Sequence, residues 1–296
     1  MKDIASVSEL KNKTTIEIRD LDSLTTADEV ATAVNQLLDE TNEETTVKLS
    51  APNSREQLRA WIQFPLTAEE KSKIATAFYI KHKIPSVVGC VDGTHVKIIA
   101  PSENSHLSYN RKGYYSLNVM LVCDHELKIR YVDASHPGAS HDSLIWNVSE
   151  LRSHFETQFS NHQRTVWLLG DAGYPLEPWL ITPYRTPNQA EIKFNEMHSK
   201  CRNIIERTNG VLKNRWRCIL GGRELHYAPE KAAQIVDVTC CLHNICIHFR
   251  ASIPDTPDAE AELNLPEIHD VHSNIPTQNM EVARSIRNNI RDSLND

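Results

Sequence analysis

The sequence lacks any long apolar run, any secretory signal and any CxxC pair of cysteines. A membrane helix needs about 18 or more consecutive apolar residues, so no membrane span is expected. The N-terminal stretch MKDIASVSELKNK is polar and has no apolar signal core, which disfavours secretion. The seven cysteines are odd in number, so they indicate reduced thiols in the cytosol or nucleus rather than a disulfide framework.

An overall excess of positive charge is also absent, because the formal net charge is −7. This balance alone argues against a nucleic-acid partner. The acidity lies mostly outside the middle of the chain, however, since residues 85–250 hold 18 Lys and Arg against 16 Asp and Glu. A local basic cluster contains Arg202, Arg207, Lys213, Arg215, Arg217 and Arg223. This cluster could bind phosphate or form a solvated helix face, and charge alone supports both interpretations equally.

The 296 residues divide into three regions. Residues 1–57 are a small leading segment, residues 58–250 form one α/β domain, and residues 251–296 are a polar tail. The leading segment shows two alternating strand patterns around an amphipathic helix pattern, which predicts a βαβ unit. The tail mixes prolines and acids without periodicity, which predicts disorder apart from a short helix in EVARSIRNNIRDSL.

The main domain shows three strand patterns, a helix, a fourth strand and two further helices. The strands are expected in VVGCVDGTHVKII, YYSLNVMLVCD, ELKIRYVDAS and TVWLLGDAGY. The first helix is expected in ASHDSLIWNVSELRSHF with its cap near Ser140, and a long helix follows the irregular stretch PLEPWLITPYRTP. Three meandering strands, a helix and a returning strand indicate an α/β fold with a ribonuclease-H-like mixed sheet flanked by helices.

Asp92 stands inside an apolar strand pattern, between Val91 and Gly93. Burying an unpaired carboxylate is costly, so an acid at this position indicates function. Gly93 would let the backbone or a ligand approach closely. The alternative is a surface Asp-Gly turn, but Val96 and Ile98 continue the strand pattern beyond it, which favours function.

Two further acids carry weaker signals of the same kind. Asp171 follows the strand TVWLLG, and ligands of α/β sheets bind at the carboxyl ends of strands, although a plain turn would also place an acid there. Glu206 shares one face of the long helix with His198 and Arg202 at i, i+4 and i+8, although surface glutamates are common on helices. Two-metal phosphodiester hydrolysis needs such hard carboxylate ligands from segments distant in sequence.

Other candidates have stronger structural interpretations. Asp142 lies in the first turn of a helix, where the helix dipole favours an acid, so the residues alone assign it no function. A group of thiols and imidazoles is crowded on one apolar helix without a distant second pair, so a packed core helix is favoured over a zinc site. Its members are Cys240, Cys241, His243, Cys246 and His248.

Five blocks of the main domain occur in the order CVDGTHV, PGASHDSLIW, LLGDAGYP, IIERTNGVLKNRW and CLHNICI. Together they resemble the Harbinger transposase-derived nucleases, a branch of the DDE transposases, and the resemblance extends over residues 58–250. It implies a ribonuclease-H-like fold and a DNA endonuclease that hydrolyses phosphodiester bonds by a two-metal mechanism. Its motifs place the catalytic acids at Asp92, Asp171 and Glu206.

The resemblance also implies ligands, partners and a location. The residues implied to hold divalent Mg²⁺ or Mn²⁺ are Asp92, Asp142, Asp171 and Glu206. The residues expected to hold DNA phosphates are Arg202, Arg207 and Lys213. A DNA substrate implies the nucleus, with the cytoplasm as a second location, and no membrane partner is expected.

Two features depart from the family pattern. Family members usually carry a helical DNA-reading region before the first acid, whereas TIEIRDLDSLTTADEVATAVNQLL in the leading segment resembles gag-like proteins of insect non-LTR retrotransposons. Residues 1–57 are therefore interpreted as a fused fragment or an unrelated extension, and a separate DNA-binding partner protein is expected. Asn209 stands where an aromatic residue is usual, which we interpret as tolerated packing variation. The alternative function is a domesticated, catalytically silent module that binds DNA or protein.

Overall fold

The computed structural model describes residues 64, 67–161, 166–253 and 277–294, together with the backbone of four short strands nearer the N-terminus. These strands are β1 (Ser8–Leu10), β2 (Lys13–Thr15), β3 (Glu17–Arg19) and β4 (Lys48–Ser50). β1 pairs with β2 in antiparallel fashion, and β3 pairs with β4 in parallel. Parallel strands need a crossover connection, and the helix predicted between β3 and β4 lies outside the described residues.

The main domain is built on a five-stranded mixed sheet in the order β7-β6-β5-β8-β9. Its strands are β5 (Val87–Lys97), β6 (Ser116–Cys123), β7 (Ile129–Pro137), β8 (Trp167–Leu169) and β9 (Leu180–Ile181). β6 is antiparallel to both β5 and β7, whereas β8 runs parallel to β5 and to β9. The predicted α/β class with a mixed sheet is confirmed, and β9 is an addition inside the stretch predicted to be irregular.

Helices flank this sheet along the chain. They are α1 (Ala68–His82), α2 (Ser105–Ser108), α3 (Asp142–Val148), α4 (Glu150–Ser160), α5 (Gln189–Arg215), α6 (Pro229–His248) and α7 (Thr277–Ser293), with a 3₁₀ turn at Arg217–Ile219. The long α5 begins with a capping box, in which Asn188 accepts from the backbone N–H of Glu191 and the Glu191 carboxylate accepts from that of Asn188. Such reciprocal caps satisfy N–H groups that the first helical turn leaves without partners.

The single helix predicted to follow Ser140 is instead two helices, which corrects the sequence prediction. α3 begins at Asp142 with His141 as its N-cap residue, and no side chain caps it. Ser149 has extended backbone, so it ends α3, and its Oγ accepts from Arg152 N at 3.1 Å to cap α4. A serine side chain that bonds to nearby backbone competes with helix continuation, which explains the break.

The core lies on both faces of the sheet. On one face, strand residues such as Leu121 pack with Phe194 and Ile205 of α5. On the other face, Met120 packs with Trp146 of α3 and with α4. Because β5 is central and covered on both sides, its sequence is an almost continuous apolar run, in which an acid is conspicuous.

Helix α6 is a packed core helix, as predicted. Cys240, Cys246 and His243 are buried, and His243 Nε2 lies 2.8 Å from the carbonyl oxygen of Leu127. Burial lowers the pKa of His243 to about 4, so this imidazole is neutral at physiological pH. Its neutral ring can donate to that carbonyl, which accounts for a histidine inside the core.

Helix α7 packs on the domain from beyond residue 250, where the sequence analysis placed the domain end. Ala283 and Ile290 are buried, and Arg287 Nη1 donates to the carbonyl oxygen of Thr182 at 3.2 Å. The predicted short helix is therefore present and contributes to the core, whereas residues 254–276, predicted to be disordered, lie outside the described part of the chain. No helix among the described residues combines the length and apolarity of a membrane span.

Candidate active site

Asp92 lies in the middle of β5, opposite Leu121 of β6, and not in a surface turn. Only 13% of its side chain is exposed. Burial is the main cause that raises the pKa of Asp92 to about 8, and the negative charges of Asp171, Asp142 and Glu206 raise it further against the effect of nearby Arg202. The four predicted acids therefore share one electrostatic neighbourhood.

A single guanidinium joins two of these acids. Arg202 Nη1 lies 3.4 Å from Asp92 Oδ1, and Arg202 Nη2 contacts Glu206 Oε1 one turn further along α5. The positive charge compensates the carboxylates, which would otherwise repel each other. The predicted role of Arg202 as a phosphate ligand stays a prediction, and here this side chain is 16% exposed and paired with the two acids.

Asp171 reaches the same region from the neighbouring strand. β5 and β8 are parallel, and Cys90 is paired with Leu169, so Asp92 and Asp171 each lie two residues beyond that pair. Asp171 itself follows the end of β8, and its negative charge raises the pKa of Asp92, so the two acids lie near each other. Asp171 Oδ1 also accepts from the backbone N–H of Gly173 at 2.9 Å, so the interpretation as a strand-ending turn is also correct.

Asp142 approaches from the opposite side of β5. A Cβ built on Gly93 would lie 2.3 Å from Asp142 Oδ1, and consecutive strand residues point to opposite faces, so Asp142 and Asp92 lie on different faces. Asn118 Nδ2 donates to Asp142 Oδ1 at 2.7 Å. Burial, as the largest cause, and the charge of Asp171 raise the pKa of Asp142 to about 6 against the lowering effects of Asn118 and Arg111.

The remaining predicted phosphate ligands differ in their surroundings. Arg207 is exposed on α5. Lys213 is half-buried, and its Nζ donates to the carbonyl oxygen of His95 at 3.0 Å. The cations of α5 thus differ in their surroundings: Arg202 faces the acids, Arg207 is exposed, and the buried Arg215 donates to the carbonyl of Ser252.

The sequence analysis missed two asparagines beside the acids. Asn209 Nδ2 lies 3.4 Å from Asp92 Oδ2, so its interpretation as packing variation is corrected. The signal for it is its spacing of seven residues from Arg202, which places both on one helix face. Asn118 is 3% exposed within an apolar strand, the same signal that singled out Asp92. The oxygens Asn118 Oδ1 and Asn209 Oδ1 are both buried without a hydrogen-bond partner.

The donor chemistry of this centre fits a hard divalent cation. Carboxylate and amide oxygens are the ligands that Mg²⁺ and Mn²⁺ take in proteins, and the oxygen Asn209 Oδ1 next to Asp92 lacks a partner. Among residues 64, 67–161, 166–253 and 277–294, no three Asp, Glu, His or Cys side chains are grouped closely enough, as they stand, to hold an ion. In this arrangement the guanidinium of Arg202 provides the positive charge beside Asp92 and Glu206.

Comparisons with known proteins identify the family of this chain. The sequence model of the family described as DDE superfamily endonuclease matches residues 91–244. The chain is 36% identical over 204 residues to "Putative nuclease HARBI1" of Bos taurus, with 68% of this chain and 58% of that protein covered. The Homo sapiens protein of the same name is 35% identical over the same length and coverage.

More distant similarity extends to plants. "Protein ALP1-like" of Arabidopsis thaliana is 27% identical over 232 residues, which cover 72% of this chain and 54% of that protein. The chain therefore spans little more than half the length of the curated relatives that it matches. No solved structure matches it. The matched residues include all four candidate acids, and the chain belongs to the DDE superfamily endonucleases, among the Harbinger transposase-derived proteins.

Proposed function

We propose that this chain is a divalent-metal-dependent endonuclease that hydrolyses phosphodiester bonds of DNA. One observation carries the proposal: Asp92 and Glu206 share the guanidinium of Arg202, while the charge of Asp171 raises the pKa of Asp92. These interactions link three acids from β5, the loop after β8 and α5, which supports a shared centre. The nuclease named among the relatives supports the same function, and the strand order supports a ribonuclease-H-like arrangement of the sheet.

In this proposal each side chain has a distinct task. Asp92, Asp171 and Glu206 hold Mg²⁺ or Mn²⁺, and a bound pair of ions supplies water activation and charge stabilisation for phosphodiester hydrolysis. Asp142 supports the centre from the other face of β5. Arg202 compensates Asp92 and Glu206 before the ions bind.

Phosphate binding is assigned to Arg207 and Lys213 of α5. Arg207 is exposed, and the Nζ of Lys213 lies at the carbonyl of His95, three residues along β5 from Asp92, so both cations are placed to attract the DNA backbone. A nuclear location, with the cytoplasm as a second compartment, and a separate DNA-binding partner protein complete the proposal. Fluorescence microscopy of the tagged chain tests the location.

Nicking of supercoiled plasmid DNA in Mg²⁺ or Mn²⁺ tests the proposed activity. Asp92→Asn, Asp171→Asn and Glu206→Gln should each lower the nicking rate by about a hundredfold or more, because each removes a charged ligand oxygen. The matched control is Glu196→Gln, an exposed acid on the same helix α5, which should nick at the wild-type rate. Wild-type activity of Asp92→Asn would contradict the proposal.

A catalytically silent module that binds DNA or protein is the second candidate. It is favoured by the pairing of Arg202 with Asp92 and Glu206, because this pairing leaves fewer carboxylate oxygens open to an ion. Calorimetric titration with Mn²⁺ separates the two functions. Saturable heat that disappears in Asp92→Asn supports the nuclease, and the absence of heat at millimolar Mn²⁺ supports the silent module.

A further inference from the structure

A rigid turn with exposed cations lies between α2 and β6. We call residues 109–115, with the sequence YNRKGYY, the basic turn. Asn110 holds it together: this side chain is 4% exposed, its Oδ1 accepts from the backbone N–H of Lys112 at 2.9 Å and of Tyr114 at 3.4 Å, and its Nδ2 donates to Ser116 Oγ at 2.9 Å. Gly113 has φ +81°, a conformation that favours glycine.

The basic turn presents charge and aromatic surface together. Arg111 and Lys112 are both exposed. Tyr109 is 50% exposed, and its ring meets Tyr115 edge-on with 5.1 Å between the centroids. Because the hydrogen bonds of Asn110 already fix the backbone of the turn, binding a ligand costs little further backbone entropy.

Further cations adjoin the turn. Lys97 Nζ lies over the ring of Tyr114 at 4.6 Å from its centroid. The ring of His95 contacts the same tyrosine with centroids 6.3 Å apart. Lys213 Nζ in turn donates to the His95 carbonyl. A chain of contacts therefore links the turn to a basic side chain of α5.

The turn also lies beside the acidic centre. The backbone N–H of Gly138 donates to the Ser116 carbonyl at 2.8 Å, and that of Ala139 donates to the Leu107 carbonyl at 2.9 Å, which joins the segment around the turn to the loop before Asp142. The charge of Arg111 lowers the pKa of Asp142. An acidic centre repels phosphate, so a nucleic-acid substrate needs a basic flank of this kind.

We propose that the basic turn binds a DNA strand beside the acidic centre, with Arg111 and Lys112 on phosphates and Tyr109 against a base. This inference rests on the proposed function for its substrate class. An acidic peptide would also meet the cations, but the interleaved exposed tyrosine favours nucleic acid, because bases stack on aromatic rings.

Fluorescence anisotropy of a short labelled DNA oligonucleotide in EDTA, across a salt series, tests the inference. The double variant Arg111→Ala/Lys112→Ala should bind about tenfold more weakly, and its salt slope should fall by about 2 because two phosphate contacts are lost. Tyr109→Ala should weaken binding with an unchanged salt slope. Single Arg111→Gln and Lys112→Gln variants with wild-type melting temperatures guard against misfolding.

The matched control is Lys73→Ala/Lys81→Ala, which removes the same charge from exposed positions of α1. Lys73 lies far from the basic turn. Its charge lowers the pKa of Glu126, which follows the end of β6, whereas the basic turn precedes the start of this strand. A strand rises about 3.4 Å per residue, so the two ends of β6 are separated by about seven such steps. The control should bind like the wild type. An equal loss in the control, or a turn variant that loses affinity for a poly-glutamate peptide and not for DNA, would overturn the inference.

Failure of the two proposals can be told apart because EDTA removes metal chemistry from the binding assay. A wild-type chain that binds DNA through the basic turn but nicks no plasmid in Mn²⁺ contradicts the nuclease and supports the turn. The opposite result is also informative. If the wild-type chain nicks plasmid but the turn variants bind DNA with the wild-type salt slope, only the proposal for the basic turn is overturned.

Discussion

The carboxylate of Asp142 fills the space directly above the Cα of Gly93, where any other side chain would begin. A Cβ at position 93 would lie 2.3 Å from Oδ1 and 2.6 Å from Cγ of Asp142, distances that require one of the two segments to shift. The sequence analysis predicted that Gly93 lets another group come close to the strand. In the structure this group is the carboxylate of Asp142. This contact is how Asp142 reaches the centre from the face opposite Asp92.

Gly93→Ala should lower the free energy of unfolding by about 1–3 kcal/mol, because overpacking displaces α3 from the sheet. Urea denaturation measures the change. Gly221→Ala is the matched control, since nothing lies within 4 Å of a Cβ at that position, and it should be nearly neutral. Adding Asp142→Ala to Gly93→Ala should recover part of the loss, and strictly additive losses would contradict the steric explanation.

Asp92 should make the stability of the metal-free protein depend on pH. Burial raises its pKa to about 8 in the folded chain, against about 3.9 in an unfolded one. The stabilising contribution of its protonated form is complete below about pH 4 and is lost as pH rises to about 8. Urea denaturation in EDTA should show the wild type losing up to about 1.4 kcal/mol per pH unit in this window relative to Asp92→Asn. Parallel curves for the two proteins would exclude the raised pKa.

Asp142 and Asp92 should differ in their effect on metal affinity. Asp142 lies on the other face of β5, so Asp142→Asn should weaken Mn²⁺ binding by about tenfold, as outer ligands of metal sites do. Asp92→Asn should abolish measurable binding. Calorimetric titration with Mn²⁺ compares the two variants. Asp124→Asn is not a suitable control, because Asp124 is fully buried and paired with Arg130. Equal losses in both variants would make Asp142 a direct ligand.

Asn209 offers a buried oxygen without a partner beside Asp92. Asn209→Asp adds negative charge there, so the melting temperature in EDTA should fall by several degrees, and the upward shift on adding Mn²⁺ should exceed that of the wild type. Scanning fluorimetry measures both shifts. Asn203→Asp, at an exposed position of the same helix, should show neither change, and a smaller Mn²⁺ shift in Asn209→Asp would count against this placement.

Helix α7 should contribute to the stability of the main domain. Ile290 is buried, so Ile290→Ala should cost about 2–4 kcal/mol through lost burial and a cavity. Ser285→Ala, an exposed position of the same helix, is the control and should be within about 0.5 kcal/mol of the wild type. Chemical denaturation that leaves both variants equal to the wild type would show that the domain does not depend on this helix.

The sequence by itself determined the strands β5 to β8 and the helices α5 and α6, and it singled out Asp92 as a candidate acid. These features follow from local patterns. A continuous apolar run indicates a strand that is buried on both faces. An acid inside such a run indicates function, because burying a carboxylate costs free energy and packing alone does not explain it. The family motifs added Asp142, whose position at a helix start looks ordinary in sequence.

Only the tertiary structure decided on which face of β5 each acid lies and which side chains contact it. The parallel pairing of β5 with β8 sets Asp171 beside Asp92, while strand alternation leaves Asp142 on the other face. The pairing of Arg202 with Asp92 and the hydrogen bond from Asn209 to the same acid depend on how α5 lies across the sheet. These are contacts between residues about a hundred positions apart, and local periodicity carries no information on them, since it fixes a side chain's face but not what covers that face.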